Sequence, residues 1–332
     1  MKLFSLVFTF LKEVIANKKN ILSETSEKSY YVMRYLYKYS DGILIYLISK
    51  FINLKNKSSF TFRKSYDSFP KIEQKIVNKL KDEIFDMRIS NELIKFEKIK
   101  IQNRTNKEID FLYYKEKNLM RLDIESEDLL KNKLISEIAT NDYLLNRIEN
   151  ILGTEPQLMG IDSWFTLPSP IKPKSYDEIG KIVSSQLWHR DCDNLRDIKL
   201  MIYLTDVINK DDGPFEIIRG TNCFSFFNPF KYEMGTIGLR ISDKYIKSKY
   251  HDQIKSFYGD AGTSFIVDTR AIHRGKTINK NNHFRLLLQL YFSNSSFGKK
   301  RKKFKINQDW ESFAIWKSAL KQKDNFNCLI EF

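Results

Sequence analysis

The sequence predicts an α+β protein in which a mainly helical N-terminal half packs on a β-sandwich or jelly-roll barrel, and a helix follows the barrel. Two observations predict it. Residues 12–153 are rich in Lys, Glu, Ile and Leu and poor in glycine, whereas after Gly153 prolines cluster and short β-type runs alternate with turn residues. With 332 residues, 42% of them hydrophobic, the chain can bury a substantial core, which excludes disorder throughout.

This change of character divides the chain into three predicted regions. Residues 1–150 form the helical region that packs on the barrel, and residues 151–298 form the β core. Residues 299–332 hold the basic run Lys299–Lys303 and a helix from Gln308 to Leu320.

The N-terminal half contains two well-marked helices. Ser68-Phe69-Pro70 is predicted to open the first, because proline suits the first turn, and apolar residues recur at helical spacing up to Ile84. The second is predicted to follow Thr140 and to end at Gly153 in a left-handed cap. Short strands are candidates at Leu93–Ile101 and Phe111–Tyr114.

The β core is predicted from runs rich in Ile, Val, Leu, Phe and Tyr, several of which alternate with period two. They are Ile182–His189, Ile198–Val207, Phe215–Ile218, Thr263–Val267 and Phe284–Phe292. In the last run, alternation places Arg285, Leu287, Gln289 and Tyr291 on one face. A polar row is unusual in a core strand, and an arginine there offers a rigid fork for a carboxylate.

The charge balance of the chain is strongly basic. Fifty-six Lys and Arg against 41 Asp and Glu give a net charge of +15, which favours an anionic substrate or partner. The sequence shows no helix-turn-helix and no basic module interleaved with aromatic residues, so no nucleic-acid partner is expected. Lys299–Lys303 is interpreted as a solvated turn, with polyanion binding as the alternative.

Cysteine usage and apolar runs indicate a cytoplasmic protein without a membrane span. Cys192, Cys223 and Cys328 lie far apart without a CxxC pair, so neither a disulfide framework nor a thiolate zinc site is indicated. The apolar runs Met1–Leu11 and Gly42–Leu54 are too short to cross a bilayer. They are expected to pack in the core, with weak contact to a membrane surface as the alternative.

A metal site is predicted from the spacing of two histidines and an aspartate. His189 and Asp191 stand two residues apart at the end of a β-type run, so their side chains share a face, and His273 follows 273 − 189 = 84 residues later. Two histidines and one carboxylate form the facial triad that holds ferrous iron with open coordination positions. Asp193 is the alternative carboxylate, and His251 and His283 are expected at the surface.

Four segments together resemble the phytanoyl-CoA dioxygenase family: Gln186–Asp191 (QLWHRD), Asp211–Asn222 (DDGPFEIIRGTN), Asp268–Thr277 (DTRAIHRGKT) and Arg285. The resemblance covers residues 152–293. It implies a double-stranded β-helix, a form of jelly roll, and an iron(II)- and 2-oxoglutarate-dependent dioxygenase that consumes dioxygen and releases succinate and carbon dioxide. Ile218–Asn222 departs from the ending that the family usually shows at that point.

The same resemblance assigns roles to residues. His189, Asp191 and His273 would bind iron, Arg285 would bind the distal carboxylate of 2-oxoglutarate, and Thr277 would assist the cosubstrate. Gln186 is grouped with the cofactor-binding residues. With Trp188 it alternates away from the metal ligands on an ideal strand, so both are expected to line or support the pocket unless a bulge reorients them.

The presence of Asp191 favours hydroxylation over halogenation, because related halogenases have a small residue there. The predicted function is therefore hydroxylation of a small metabolite or biosynthetic intermediate, and the alternative is a non-catalytic binding module with the same fold. Two further arginines of the matching segments, Arg270 and Arg274, are expected at the surface or against substrate rather than at the cosubstrate.

Overall fold

A computed structural model describes residues 65–89, 97–102, 108–113, 121–168, 185–191, 193–194, 196–222, 241–280, 283–293, 302–322 and 324–332. The helices of these segments are α1 Gln74–Phe85, α2 Ser126–Lys131, α3 Lys133–Ala139, α4 Asp142–Leu152, α5 Asp243–Tyr250 and α6 Phe313–Gln322. The strands are β1 Tyr66–Phe69, β2 Glu97–Gln102, β3 Glu108–Tyr113, β4 Arg121–Asp123, β5 Gln157–Thr166, β6 Asp197–Tyr203, β7 Phe215–Ile218, β8 Ile254–Phe257, β9 Ser264–Asp268, β10 His273–Gly275, β11 Arg285–Ser293, β12 Phe304–Lys305 and β13 Ile330–Glu331.

The largest sheet has six antiparallel strands in the order β1-β9-β6-β11-β5-β4. Strand β11 lies inside this sheet, between β6 and β5, and all nine of its residues are buried. Its register sets Gln289 opposite Met201 on one side and Asp162 on the other. The polar residues of β11 therefore lie on one face, in the middle of the sheet.

A second, three-stranded antiparallel sheet has the order β10-β7-β8. Residues of both sheets meet in one buried cluster: Trp164, Met201, Tyr203, Val207, Phe215, Ile217, Phe257, Phe265, Val267, Ala271 and Leu287. Because this cluster contains residues from β5, β6, β9 and β11 as well as from β7 and β8, the two sheets face each other.

The outer face of the six-stranded sheet is covered by helices. Alternate residues of β11, such as Leu286, Leu288 and Leu290, belong to a second cluster shared with α1 to α4 and α6. Helix α6 is tied to this layer because Trp316 Nε1 donates to the Leu130 carbonyl over 2.9 Å. Burying alternate strand residues against helices is the main source of stability on this side.

The helix predicted before Gly153 is confirmed. Asn141 caps α4 by accepting a hydrogen bond from the Leu144 N–H at 3.1 Å, and Gly153 ends the helix with φ 73°. The buried face of α1 (Val77, Leu80, Ile84) is also as predicted, but its start at Ser68–Pro70 is wrong. Residues 66–69 instead pair with β9 as an edge strand, and Pro70 ends that strand.

Strand β5 is not among the predicted β-type runs, and it lies between the prolines at 156 and 168. Strands β1 and β4 come from the region before residue 150 yet join the large sheet. The division into 1–150, 151–298 and 299–332 stays a prediction.

Short strands near 93–101 and 111–114 exist as the antiparallel pair β2 and β3. The terminal helix lies at Phe313–Gln322, a few residues after its predicted range.

Several predictions fall outside the described residues: the apolar runs at 1–11 and 42–54, Cys192, Cys223 and the start of the basic run at 299–301. Among the helices that the structure describes, none has the length and apolarity needed to cross a membrane.

Candidate functional site

The two predicted histidine ligands lie next to each other on paired main chains. His189 and His273 form an antiparallel bridge in which each N–H donates to the carbonyl of the other, over 3.0 and 2.9 Å. Their ring centroids are 4.3 Å apart, and both residues are buried. A pairing between residues 84 positions apart in the chain therefore holds both rings on one side of the small sheet.

The Asp191 carboxylate completes the group. Oδ1 lies 3.6 Å from His189 Nε2, and Oδ2 lies 3.5 Å from His273 Nε2. The main-chain N–H of Asp191 donates to the Thr269 carbonyl over 3.0 Å, which fixes the residue beside the connection between β9 and β10. One ligand atom from each of the three residues lies within 4.8 Å of the others, so the group could hold one metal ion.

Main-chain carbonyls fix the orientation of both imidazoles. His189 Nδ1 lies 2.7 Å from the Leu187 oxygen, and His273 Nδ1 lies 2.9 Å from the Ala271 oxygen. A carbonyl only accepts, so each Nδ1 carries the proton. The unprotonated Nε2 atoms then face Asp191, which is the arrangement a divalent metal requires.

A lysine that the sequence reasoning missed also contacts Asp191. Lys199 Nζ on β6 donates to Asp191 Oδ2 over 2.7 Å, and the lysine side chain is 13% exposed. Burial is the largest single effect on the pKa of Lys199 and would lower it, but the charge and hydrogen bond of Asp191, with the charges of Asp193 and Asp197, together raise that pKa. Burial is the largest effect on Asp191 and opposes its ionisation, but the charge and hydrogen bond of Lys199 and the two neighbouring histidines together hold the pKa of this carboxyl well below its usual range.

The loop that carries Asp191 is anchored by a buried carboxylate. Asp197 Oδ2 accepts the N–H groups of Asp193 and Asn194 over 3.2 and 3.3 Å, and Oδ1 accepts the Tyr291 hydroxyl over 2.5 Å. Burial, with the nearby charge of Asp193, raises the pKa of Asp197 to about 7. This anchor joins the metal-site loop to β11.

Arg285 is positioned so that its guanidinium could bind a carboxylate. It is 4% exposed, and its Nη2 donates to Thr166 Oγ1 over 3.1 Å. Its Nε and Nη1 atoms have no hydrogen-bond partner among the described residues. Burial lowers the pKa of Arg285 without removing its charge. Unpaired buried N–H groups of a guanidinium fit an anionic ligand that supplies oxygen acceptors.

A glycine on β10 leaves room for that guanidinium. A Cβ built on Gly275 would lie 2.8 Å from Arg285 Nη2, closer than real Cβ contacts. Since Gly275 is two residues after His273 on β10, the arginine lies between the two sheets on the same side as the metal-ligating group.

The structure locates the other two predicted cofactor-binding residues, Thr277 and Gln186, but no contact between described residues assigns them a role. Thr277 is half-buried, two residues past the end of β10. Gln186 is buried, and its Nε2 lacks a partner among the described residues. Trp188 packs outside the small sheet with Ile218 and Ile272, so it supports the sheet rather than lining the metal-ligating group.

Three neighbouring residues are not at the surface as predicted, while contact of Arg270 or Arg274 with substrate stays a prediction. The Arg270 side chain is 14% exposed, and its Nε and Nη2 both donate to the Asp268 carboxylate, over 2.9 and 2.6 Å. Arg274 is a β10 residue that donates to Glu216 over 2.8 Å. His283 has a side chain only 14% exposed, 3.5 Å from Asp212. In contrast, the His251 side chain is 80% exposed, as predicted.

Sequence reasoning overlooked three residues of this site: Lys199, Thr166 and Gly275. A usable signal existed for the first. Lys199 is the one charged residue in the run IKLMIYL, with the same parity as Met201 and Tyr203, which face the other sheet. Thr166 and Gly275 carry no such signal, because their importance depends on which strand they oppose.

No family model matches the sequence, and no curated protein matches it. Solved structures similar to this chain include HygX from Streptomyces hygroscopicus with nickel and 2-oxoglutarate bound (TM-score 0.46, 13% identity, covering 75% of this chain and 90% of that one). Also similar is the epimerase SnoN in complex with Fe3+, alpha ketoglutarate and nogalamycin RO (TM-score 0.44, 13% identity, covering 70% of this chain and 80% of that one). A third is the alpha-ketoglutarate-dependent carbocyclase SnoK (TM-score 0.45, 12% identity, covering 70% of this chain and 81% of that one). At these identities, the function of this chain has to be argued from its own residues.

Proposed function

We propose that this protein is an iron(II)- and 2-oxoglutarate-dependent dioxygenase that hydroxylates a small metabolite or biosynthetic intermediate. One observation carries the proposal: two histidine Nε2 atoms and an aspartate carboxylate converge within 4.8 Å, in the same space between the sheets as a buried arginine with two unpaired nitrogens. A metal site alone would fit many activities. The added arginine selects a carboxylate-bearing cosubstrate.

We also propose that the core is a double-stranded β-helix. Two antiparallel sheets face each other, and the chain alternates between them, from β6 to β7 and from β9 through β10 to β11. The His189–His273 bridge adds a further pairing to the small sheet next to β10. This alternation is typical of a jelly roll, and the metal-ligating group would lie between its two sheets.

His189, Asp191 and His273 would hold Fe(II), with neutral imidazoles presenting Nε2. Bound iron with 2-oxoglutarate would supply dioxygen activation, in which one oxygen atom enters the substrate and the other enters succinate as carbon dioxide is lost. Three protein ligands leave open positions for the cosubstrate and dioxygen. The His189 and His273 rings keep their orientation because their Nδ1 protons are held by carbonyls.

Arg285 would bind the distal carboxylate of 2-oxoglutarate through its free Nε and Nη1 groups. Thr166 holds the third nitrogen, so the guanidinium keeps one orientation while the ligand enters. Thr277 would add a hydroxyl contact to the cosubstrate. Gln186 would supply its unpaired amide N–H groups to the same pocket.

The substrate would enter a pocket with both polar and apolar walls. Gln289 Nε2 donates to Asp162 Oδ2 over 2.8 Å on the face of the large sheet that points to the small one. Phe215 stacks on the His273 ring at 5.4 Å and keeps water from that side of the ligand. The charge of +15 favours an anionic substrate, and the cysteine pattern favours a cytoplasmic location.

Turnover tests the proposal. Purified protein given Fe(II), 2-oxoglutarate and a metabolite library is expected to form succinate and a product with one added oxygen atom. His189→Ala and His273→Ala should abolish both, while His251→Ala, an exposed histidine, should retain them. Unchanged succinate formation in the two ligand variants would overturn the proposal. A product without added oxygen would refute hydroxylation while leaving the cofactor assignment in place.

The alternative, a non-catalytic module with the same fold, has a separate test. Adding Fe(II) and 2-oxoglutarate without oxygen should give the visible charge-transfer band of a chelated complex. A protein that lacks this band and forms no succinate would be the binding module.

A further inference from the structure

Lys199 is a charged side chain inside the space between the sheets, and the proposed reaction gives it no role. Its side chain is 13% exposed, and its Nζ lies 2.7 Å from Asp191 Oδ2 and 5.4 Å from the centre of the Tyr291 ring. Removing an ammonium from water is costly unless a partner compensates, and Asp191 is that partner. A residue of this kind beside a metal ligand affects how that ligand can bind.

The two oxygens of Asp191 differ in their contacts. Oδ2 accepts from Lys199 and lies 3.5 Å from His273 Nε2, whereas Oδ1 lies 3.6 Å from His189 Nε2 and accepts no hydrogen bond from Lys199. A carboxylate can bind a metal through one oxygen or through both. A lysine that occupies one oxygen favours binding through the other.

We propose that Lys199 is a positioning residue that restricts Asp191 to binding iron through one oxygen and so keeps a coordination position free for 2-oxoglutarate. The inference rests on the proposed function. Without Lys199, Asp191 can turn and chelate the metal with both oxygens. The metal then stays bound, but the cosubstrate has to compete for a position that the protein itself now fills.

Lys199→Met removes the ammonium and keeps much of the side-chain length. Two quantities are measured without oxygen: the affinity of the protein for Fe(II), and the affinity of the iron-loaded protein for 2-oxoglutarate from its visible band. We expect 2-oxoglutarate binding to weaken about 10-fold, with Fe(II) binding no weaker than in the wild type. A merely structural outer partner would instead weaken metal binding, by about 10–100-fold. Lys199→Arg, which keeps a charged donor, should recover part of the loss.

Met201→Leu is the matched control, because Met201 lies two residues along β6 on the same face and is also buried. It should leave both affinities unchanged. Should Lys199→Met fail to fold, Lys199→Gln repeats the measurement with a polar side chain too short to reach Asp191.

Two results would overturn the inference. One is wild-type affinity for 2-oxoglutarate in the iron-loaded variant. The other is a parallel loss of metal binding and folding stability with 2-oxoglutarate binding unchanged in the loaded fraction, which is what a merely structural ion pair predicts. A wild-type protein that gives no band would instead refute the proposed function itself.

Discussion

At the residue level, parity and spacing were enough to select two side chains from the sequence, and a matching segment supplied the third. His189 and Asp191 share a face by being two residues apart, and His273 was the histidine in a matching segment. Lys199 could not be assigned to Asp191 in the same way, since the contact depends on how the loop from residue 191 to 197 folds back. That path is fixed by Asp197, whose partners are not visible in a pattern.

Loss of one ligand should abolish metal binding. His273→Ala removes a nitrogen that cannot be replaced by the remaining two ligands. We expect Fe(II) affinity to fall by at least about 100-fold, beyond the 10–100-fold typical of losing an outer hydrogen-bonding partner. An anaerobic titration measures this, with the exposed His251→Ala as control. Equal affinity in His273→Ala and the wild type would remove this histidine from the site.

The buried Asp197 predicts a pH dependence of stability. Its pKa is raised from 3.8 to about 7, so between those values the folded state keeps a proton that the unfolded state has released. The free energy of unfolding therefore falls as pH rises through this window, by at most about 1.4 kcal/mol per pH unit for one proton.

Denaturant unfolding of the wild type and Asp197→Asn between pH 4 and 8 measures that contribution. The free energy of unfolding of the wild type, relative to that of Asp197→Asn, should fall as pH rises and level off above pH 7. Asp260→Asn, at a side chain 65% exposed, is the control and should show no such trend. A wild-type curve parallel to that of Asp197→Asn would contradict the raised pKa.

At the level of elements, strands and helices with strong periodicity were predictable and those set by partners were not. Strand β11 and helix α4 show clear alternation or capping signals. Strand β1 shows no such signal. The sequence Ser68-Phe69-Pro70 at its end is typical of a helix start, and the pairing with β9 outweighs that pattern. The length of β5 was hidden for the same reason, since pairing with both β11 and β4 stabilises it between two prolines.

The close approach of β10 to Arg285, the first residue of β11, can be tested by substitution. In Gly275→Ala the new Cβ would lie 2.8 Å from Arg285 Nη2, so the guanidinium has to move away from its present position. We expect the affinity for 2-oxoglutarate to weaken about 10-fold, equivalent to about 1.4 kcal/mol, with Fe(II) affinity unchanged. Arg285→Lys should weaken it too, because the fork is lost. Full cosubstrate affinity in both Gly275→Ala and Arg285→Lys would show that Arg285 is not involved.

Helix α6 contributes to stability and not to the site. Trp316 is fully buried, donates to the Leu130 carbonyl and packs edge-to-face on Phe326 at 5.7 Å. Trp316→Ala should lower the free energy of unfolding by about 3–5 kcal/mol in a denaturant titration. Trp316→Phe, which keeps a ring and loses the hydrogen bond, should cost about 1 kcal/mol. A variant that unfolds like the wild type would show that α6 is not part of the cooperative core.

In the whole molecule, the two faces of the six-stranded sheet have different roles. Helices bury the outer face of the six-stranded sheet, while its inner face and the small sheet enclose the polar residues. The sequence predicted this layering from composition, but not that strands from the N-terminal half would extend the sheet at both edges. Edge pairing between distant segments leaves no local signal.

His189, Asp191 and His273 are expected to bind one metal ion together. The most direct measurement is an anomalous-difference map from a crystal of the protein loaded with Fe(II), or with Ni(II) as a stable substitute. We expect a single strong peak about 2 Å from both Nε2 atoms and from an Asp191 oxygen. A map with no peak among these three residues, or with its strongest protein-bound peak elsewhere, would contradict it.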